Sequence, residues 1–148
     1  MNRSGQWILS MLLWTWGGTV YFLLEVFYKT LRSVTERISW TMLVLAVLLT
    51  VPVERCGYQL PWKVPLWLQA LVCATIVTAV EFLAGLILNV WLGLGVWDYS
   101  RLPFNILGQV CPQFMVIWWV LCMAFIPLFD WMRYAVAGGD RPHYGKRR

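Results

Sequence analysis

Two acidic residues, Glu25 and Glu81, lie inside long apolar stretches of this sequence, and a third, Asp98, follows the stretch that contains Glu81. A charged side chain at the centre of a membrane costs ~2.5–3.5 kcal/mol on insertion scales, so such an acid is expected to be neutral, paired or in contact with water. An acid retained at that cost is by default a candidate site for a proton or a cation. The alternative is a structural role, in which the acid only hydrogen-bonds neighbouring helices.

Glu25 belongs to a row of residues that share one face of a helix. Gly17, Tyr21, Glu25 and Lys29 follow one another at spacings of four, which places them one above the other on a helix surface. The row offers a glycine for close approach, a phenol, an acid and a cation. Glu25 is therefore within reach of Lys29, and the pair is either an interfacial ion pair or part of a functional site.

Glu81 belongs to a second row, made of small and polar residues at helical spacing. Its members are Ala74, Thr78, Glu81, Gly85 and Asn89. Small residues let helix backbones approach closely in lipid, so this row is predicted to face the other helices of a bundle.

Membrane-spanning helices are the elements that must position these residues. The hydrophobic fraction is 60%, the charged fraction 13% and the mean hydropathy +0.64, whereas soluble domains have about 45–50% apolar residues. A soluble bundle would show polar faces at a period of 3.6, and these stretches do not. A span needs roughly 20 residues, and four stretches come close to or exceed this: 7–28, 38–53, 66–91 and 106–128. The predicted fold class is an all-α, polytopic integral membrane protein with four transmembrane helices, the second of them short.

Prolines and glycines set the predicted helix ends. The second helix is predicted to end near Pro52, followed by a loop over 54–65. Pro103 suits the first turn of the fourth helix, which would carry Asn105 near its start. Pro112 is then expected to kink that helix.

The chain is predicted to form one membrane domain over 1–134, followed by a basic tail, 135–148, that is rich in glycine and charge and has no fixed structure. The first apolar run resembles a signal peptide, but it is too long and no small-x-small cleavage pattern follows it. It is therefore expected to remain as a membrane anchor.

A four-helix, up-and-down topology brings the polar residues to one side of the membrane. The end of the first helix, the start of the second, the end of the third and the start of the fourth all lie in one leaflet. The predicted substrate- or ion-binding residues are Tyr21, Glu25, Glu81, Asn89, Trp97, Asp98, Tyr99 and Asn105.

Cysteine and histidine usage predicts neither a metal site nor a cofactor. The four cysteines include no Cys-x-x-Cys pair, and the one histidine is His143. On one helix Cys111 and Cys122 would lie about 16 Å apart, too far to bridge. The cysteines are interpreted as small buried hydrophobic residues.

The tryptophans are interpreted as membrane residues. Seven of the 11 lie at or near the ends of the apolar stretches, where an aromatic belt sits at headgroup depth. The four inside the stretches are interpreted as lipid-facing or packing residues: Trp14, Trp16, Trp118 and Trp119.

The net charge of +5 is distributed as in membrane proteins and does not indicate a nucleic-acid partner. The side of the termini carries Arg3, Arg55, Lys63, Arg133, Arg141, Lys146, Arg147 and Arg148, and the other side carries Lys29, Arg32, Arg37 and Arg101. This excess predicts cytoplasmic termini. The basic tail would set this orientation or contact anionic lipid.

Several strings of this sequence resemble a family of small bacterial membrane proteins, the ABC-transporter type IV or CmpB-like proteins. They are Tyr21-x-x-x-Glu25, Arg32-Ser33, Glu81-Phe82-x-x-Gly85 and, above all, Trp97-Asp98-Tyr99-Ser100-x-x-Pro103-Phe104-Asn105-x-x-Gly108. The likeness runs from about Gly17 to Trp131. An Arg-Gly rich segment and a Pro-Tyr-Gly stretch, expected in the first turn, are not recognisable here. The resemblance implies a multi-pass protein of the bacterial cytoplasmic membrane with a permease-like role.

Three functions are compatible with these observations. The first is a transport component that binds a cation or proton at Glu81 and Glu25. No G-x-x-x-x-G-K-[ST] loop is present, so any ATPase would be a separate chain, and four helices alone imply a homo-oligomer or another membrane subunit. The second is a non-transporting scaffold that binds a lipid or a partner helix through the same polar face. The third, an intramembrane enzyme using Glu25, Glu81 and Asp98, ranks last because no nucleophile-base pair or metal set accompanies the acids.

Overall fold

The computed structural model describes residues 3–32 and 38–145, and its long elements are helices. Four of them are long and apolar enough to cross a membrane. They are α1 (Arg3–Arg32), α2 (Trp40–Gln59), α3 (Leu66–Gly85, continued by a π-helical turn, Leu86–Trp91) and α4 (Pro112–Ala137). This confirms the all-α fold with four transmembrane helices.

Helix α1 is longer than predicted, and glycines place it directly against its neighbours. It extends beyond 7–28 at both ends. A Cβ on Gly18 would lie 2.6 Å from the Cα of Val47, and one on Gly17 would lie 2.5 Å from a ring carbon of Phe129. Without side chains at these two positions, α1 can pack closely against α2 and α4.

Helix α2 does not end at Pro52, as was predicted, but continues through it to Gln59. The Ser39 side chain caps its first turn by accepting a hydrogen bond from the Thr41 N–H. A loop in lipid would leave backbone N–H and C=O groups without hydrogen-bond partners, whereas a helix pairs them. A proline inside a membrane helix is therefore tolerated. The consequence is that Glu54, predicted to lie in a loop, is buried inside the bundle, with 1% of its surface exposed.

Helix α3 presents its row of small and polar residues to the bundle, as predicted. Ala74, Glu81 and Gly85 are buried, whereas Leu83 and Ile87 are exposed. A Cβ on Gly85 would lie 2.5 Å from Oε1 of Gln109, so this glycine makes room for the segment that precedes α4.

Helix α4 begins at Pro112, later than the predicted start at 106. Pro112 therefore occupies the first turn, where its missing N–H costs nothing, and does not kink the helix. Residues 92–111 form an irregular segment, here called the α3–α4 segment. Pro103 and Asn105 lie in this segment and not in a helix, so the assignment of both residues to α4 was wrong.

Helix α2 holds the bundle together because it packs against α1, α3 and α4. Among the described residues α1 and α3 make no direct backbone contact. The core contains Val77, Cys73, Cys122, Ile126 and Phe129, all with at most 1% of their surface exposed. The four cysteines are free and buried, as predicted, with the Sγ atoms of Cys73 and Cys122 3.4 Å apart.

The described part of the tail is packed against the loop between α2 and α3. The His143 ring stacks on Trp62 at a centroid distance of 4.9 Å, and the Gly145 N–H donates to the Trp62 carbonyl over 2.9 Å. The Tyr144 hydroxyl donates to Asp130 of α4. Residues 138–145 thus make contacts that a tail without fixed structure would not make.

Some predictions fall on residues outside the described ranges. They concern the Ser33 position of the Arg32-Ser33 string, Arg37 of the first turn, and Lys146, Arg147 and Arg148 of the basic tail.

Candidate acidic functional site

The centre of the candidate site is Glu81 on the inner face of α3, with 6% of its surface exposed. Its two carboxylate oxygens accept different hydrogen bonds. The Tyr99 hydroxyl lies 3.3 Å from Oε1, and the Trp118 indole N–H donates to Oε2 over 2.9 Å. Both donors are neutral, and among the described residues no cation contacts Glu81.

Helix α1 contributes a second acid that has a cation partner. Tyr21 donates to Oε2 of Glu25 over 3.1 Å, and Oε1 of Glu25 lies 3.6 Å from Nζ of Lys29. The predicted ion pair is therefore present. Lys29 is buried and also donates to the carbonyl of Val96 over 3.3 Å, which ties the end of α1 to the α3–α4 segment.

The end of α3 is tied to the α3–α4 segment by two amide side chains. Asn89 donates to Oε1 of Gln109 over 2.8 Å and accepts from the Val96 N–H over 2.7 Å. The carbonyl of Gln109 accepts from the Trp97 indole over 3.0 Å. These bonds fix Val96 and Trp97, and therefore the start of the segment that carries Tyr99. The π-helical turn that carries Asn89 widens α3 at this point, and such turns are frequent at functional sites.

Asn105 organises the far half of the α3–α4 segment. Its Nδ2 donates to the carbonyls of Ser100 and Leu102, and its Oδ1 accepts from the Gly108 N–H. Two non-glycine residues nearby, Phe104 and Leu107, have positive φ angles of 58° and 51°. Such a conformation costs free energy and persists only where surrounding bonds fix it. Asn105 supplies these bonds and is thus a structural residue of this segment.

Two neighbouring spaces lie beside the acids. A cavity of about 30 Å³ is lined by Tyr21, Glu25, Glu81, Trp97 and Tyr99, among others. This is room for one or two water molecules. Above it a cleft of about 520 Å³ is bounded by Glu25, Lys29, Trp97, Asp98, Tyr99, Arg101 and Phe114. Glu25, Trp97 and Tyr99 line both spaces, so the cleft and the cavity are neighbours that share these three residues.

Two neighbouring titratable groups of the α3–α4 segment, Asp98 and Tyr99, have pKa values shifted in opposite directions. Burial, together with the nearby carboxylate of Glu81, raises the pKa of the Tyr99 hydroxyl, so this group remains a hydrogen-bond donor. The Ser100 N–H donates to Oδ1 of Asp98 over 2.8 Å and lowers the pKa of that exposed acid. Asp98 therefore places a fixed negative charge at the mouth of the cleft.

The structure divides the eight predicted site residues into two groups. Tyr21, Glu25, Glu81, Trp97 and Tyr99 line the cavity, and Asp98 lines the cleft. Asn89 and Asn105 line neither space, because their amides hold the α3–α4 segment.

Sequence reasoning missed the contacts of two residues with the site, Trp118 and Gln109. Trp118 was interpreted as a lipid-facing or packing residue, yet it is buried and donates to Glu81. A buried indole N–H usually has a hydrogen-bond acceptor. From this rule, Trp118 could have been predicted to pair with a buried acid. Gln109 approaches from the α3–α4 segment, whose position relative to α3 the sequence does not give.

A second buried acid, Glu54, lies near the opposite end of the bundle. It accepts hydrogen bonds from Ser10 and Trp14, both over 3.2 Å, and pairs with Arg133. The position of Glu54 within a helix could have been predicted from the second apolar stretch, which is too short to span a membrane. A helix of full length continues past Pro52 and includes Glu54. Among the described residues no group of three His, Cys, Asp or Glu side chains is placed to hold a metal ion.

Four apolar helices that enclose buried acids define this chain as a polytopic membrane protein. The family model described as "Putative ABC-transporter type IV" matches residues 44–137, and the chain belongs to that family. The match covers α3, the α3–α4 segment, α4 and all but the first turn of α2, whereas the resemblance had been placed from about Gly17 onward. Tyr21 and Glu25 of α1 thus lie outside the matched range. No curated protein and no solved structure matched the chain.

Proposed function

We propose that this protein is a transport component of the bacterial cytoplasmic membrane, in which Glu81 and Glu25 bind a proton or a small cation that enters through the cleft. The observation that carries the proposal is the water-sized cavity that Glu81 and Glu25 line, which shares Glu25, Trp97 and Tyr99 with the larger cleft. A polar space beside buried acids is where a membrane protein can exchange an ion with water.

The balance of charge points to Glu81 as the primary binding group. The charge of Glu25 is compensated by Lys29 at 3.6 Å. Among the described residues, Glu81 accepts hydrogen bonds only from the neutral donors Tyr99 and Trp118. An uncompensated carboxylate at this depth is costly, and a bound proton or cation removes that cost. Tyr99 lines the cleft and its hydroxyl donates to Glu81. This hydroxyl can reorient when Glu81 gains or loses a proton or a cation.

Transport needs partners that this chain does not provide. The sequence has no phosphate-binding loop of the G-x-x-x-x-G-K-[ST] type, and the proposal assigns no catalytic step to it. We therefore expect a separate ATPase chain, and a homo-oligomer or another membrane subunit to complete the pathway.

The excess of basic residues on the side of the termini supports cytoplasmic termini. The cleft then opens on the opposite face of the membrane.

A non-transporting scaffold is the second candidate, and one observation favours it. Both oxygens of Glu81 accept hydrogen bonds from within the chain, which is how a purely structural acid would be held. In that case the exposed tip of the α3–α4 segment, with Phe104 at 86% exposure and Leu107 at 69%, would contact lipid or a partner helix.

Ion flux in reconstituted vesicles tests the proposal. The protein is purified with any chain that accompanies it, placed in vesicles containing a pH-sensitive dye, and exposed to proton or alkali-cation gradients. Glu81→Gln should abolish the flux of the wild type while the protein remains inserted and folded. Asp140→Asn is the matched control, since this acid is exposed in the tail, far along the chain from the cavity. Flux retained in a folded Glu81→Gln protein contradicts the proposal. No flux in the wild type under any gradient favours the scaffold.

A further inference from the structure

A second polar cleft, of about 290 Å³, opens at the end of the bundle where α1 begins and where α2 and α4 end. Its walls include Arg3, Trp7 and Ser10 of α1, Arg55 and Tyr58 of α2, and Arg133 of α4. The α1 residues are spaced by four and three, so they share one helix face. None of these residues belongs to the acidic site, and the cleft is separate from the proposed ion route.

The guanidinium of Arg133 is held in place from two sides. Its Nη2 donates to Ser10 over 2.8 Å and pairs with Glu54, and its Cζ lies 4.5 Å from the centre of the Tyr58 ring. Glu54 is almost completely buried, so it acts as a fixed anchor. Arg133 therefore presents a preoriented planar cation at the base of the cleft.

Arg55 is fixed in a similar way on the neighbouring wall. Its Cζ lies 4.8 Å from the centre of the Trp7 ring and 5.6 Å from that of Trp14, and its Nε lies 3.7 Å from Oε2 of Glu54. Aromatic faces stabilise a cation without neutralising it. The guanidinium keeps its charge and most of its N–H donors for another partner.

The cleft has an excess of positive charge. Three guanidinium groups line it, and Glu54 is the acid that contacts them among the described residues. Asp130 lies one turn before Arg133, but its carboxylate accepts a hydrogen bond from Tyr144. Within the described part of the chain Arg3 forms no hydrogen bond or ion pair. A single arginine would suffice to pair Glu54, so this structural role does not account for all three.

We propose that this cleft binds the oxyanion of a phosphate group, with Arg3, Arg55 and Arg133 as its ligands. Guanidinium groups match phosphate oxygens with paired N–H donors and are the preferred side chains for this anion. Trp7 and Tyr58 are exposed near the start of α1 and the end of α2, and aromatic residues at the ends of membrane helices are typical of headgroup depth. A phosphodiester of an anionic lipid headgroup and a soluble phosphate share the required chemistry.

Binding to the full chain in neutral detergent tests this inference in two arms. In the first, native mass spectrometry measures retention of dioleoylphosphatidylglycerol from an equimolar mixture with dioleoylphosphatidylcholine. In the second, calorimetry measures binding of inorganic phosphate. Each arm compares the wild type with Arg3→Gln and Arg55→Gln. The matched control is Lys63→Gln, because Lys63 is an exposed cation on the same side of the membrane and outside the cleft.

Each arginine variant should weaken anion binding about tenfold, the effect of one lost hydrogen bond to a charged group. Lys63→Gln should leave it unchanged. A loss confined to the lipid arm identifies a headgroup site, and a loss in the phosphate arm identifies a soluble phosphate. If Arg55→Gln does not fold, Arg3→Gln decides, since Arg3 forms no internal bond in the described structure. Equal binding by both arginine variants and the lysine control overturns the inference.

Discussion

The indole N–H of Trp118 on α4 donates to Oε2 of Glu81 on α3 over 2.9 Å, both groups being buried. This bond joins two helices at the acid on which the proposed function depends. The Tyr21 ring packs against Trp118 at a centroid distance of 4.9 Å and extends the contact to α1. Trp118 therefore positions Glu81. Its contacts join three helices, so it contributes both to the stability of the bundle and to the geometry of the candidate site.

Trp118→Phe should destabilise the protein while preserving most of the packing. The substitution removes the donor and leaves one carboxylate oxygen of Glu81 without its partner, which costs about 1–3 kcal/mol. The free energy of unfolding in detergent measures the effect. Trp16→Phe is the control, because in the described structure the Trp16 indole forms no hydrogen bond and packs edge-on against Phe129. In a Glu81→Met background the cost of Trp118→Phe should shrink, and an unchanged cost would show that packing, not the hydrogen bond, is responsible.

Asn105→Ala should loosen the α3–α4 segment without removing a ligand. Three hydrogen bonds of the Asn105 amide are lost, and the positive φ angles of Phe104 and Leu107 then lack support. Amide hydrogen exchange of residues 98–108 should accelerate by one to two orders of magnitude, about 1–3 kcal/mol in opening free energy, whereas α4 stays protected. Gln113→Ala, an exposed substitution just beyond the segment, is the control. Unchanged exchange together with lost ion binding would restore Asn105 as a ligand.

Asp98 should titrate below the usual value of an aspartate, 3.8. The Ser100 N–H stabilises the ionised form, so the folded-state pKa is depressed relative to that of the unfolded chain. The stabilising contribution is then present above pH 3.8 and is lost as the pH falls through the folded-state pKa. Carboxyl carbon NMR of the labelled protein measures the midpoint. Ser100→Ala should raise it only partly, because the backbone N–H, the larger cause, remains. A midpoint at or above 3.8 in the wild type would contradict the expected geometry.

The sequence by itself determined the class of protein and the region of the candidate site. Long apolar stretches need a hydrocarbon environment, and helices are the elements that satisfy their backbone groups there. The row from Ala74 to Asn89 follows from helical spacing alone, as does the pairing of Glu25 with Lys29. These are local properties of the chain, set by residues three or four positions apart.

Tertiary structure alone decided which polar groups meet. Trp118 and Glu81 are separated by 37 residues, and Glu54 and Arg133 by 79. Such pairs form because a buried polar group must find a partner on whichever helix packs beside it. Local signals also failed at two prolines. Helix α2 continues through Pro52, because unpaired backbone groups are costly in lipid. Pro103 lies in an irregular segment, which the hydrogen bonds of Asn105 stabilise. Glu25 and Glu81 could thus be singled out from the sequence, but the burial of Glu54, the partners of the acids, their cavity and the arginine-lined cleft required the packed helices.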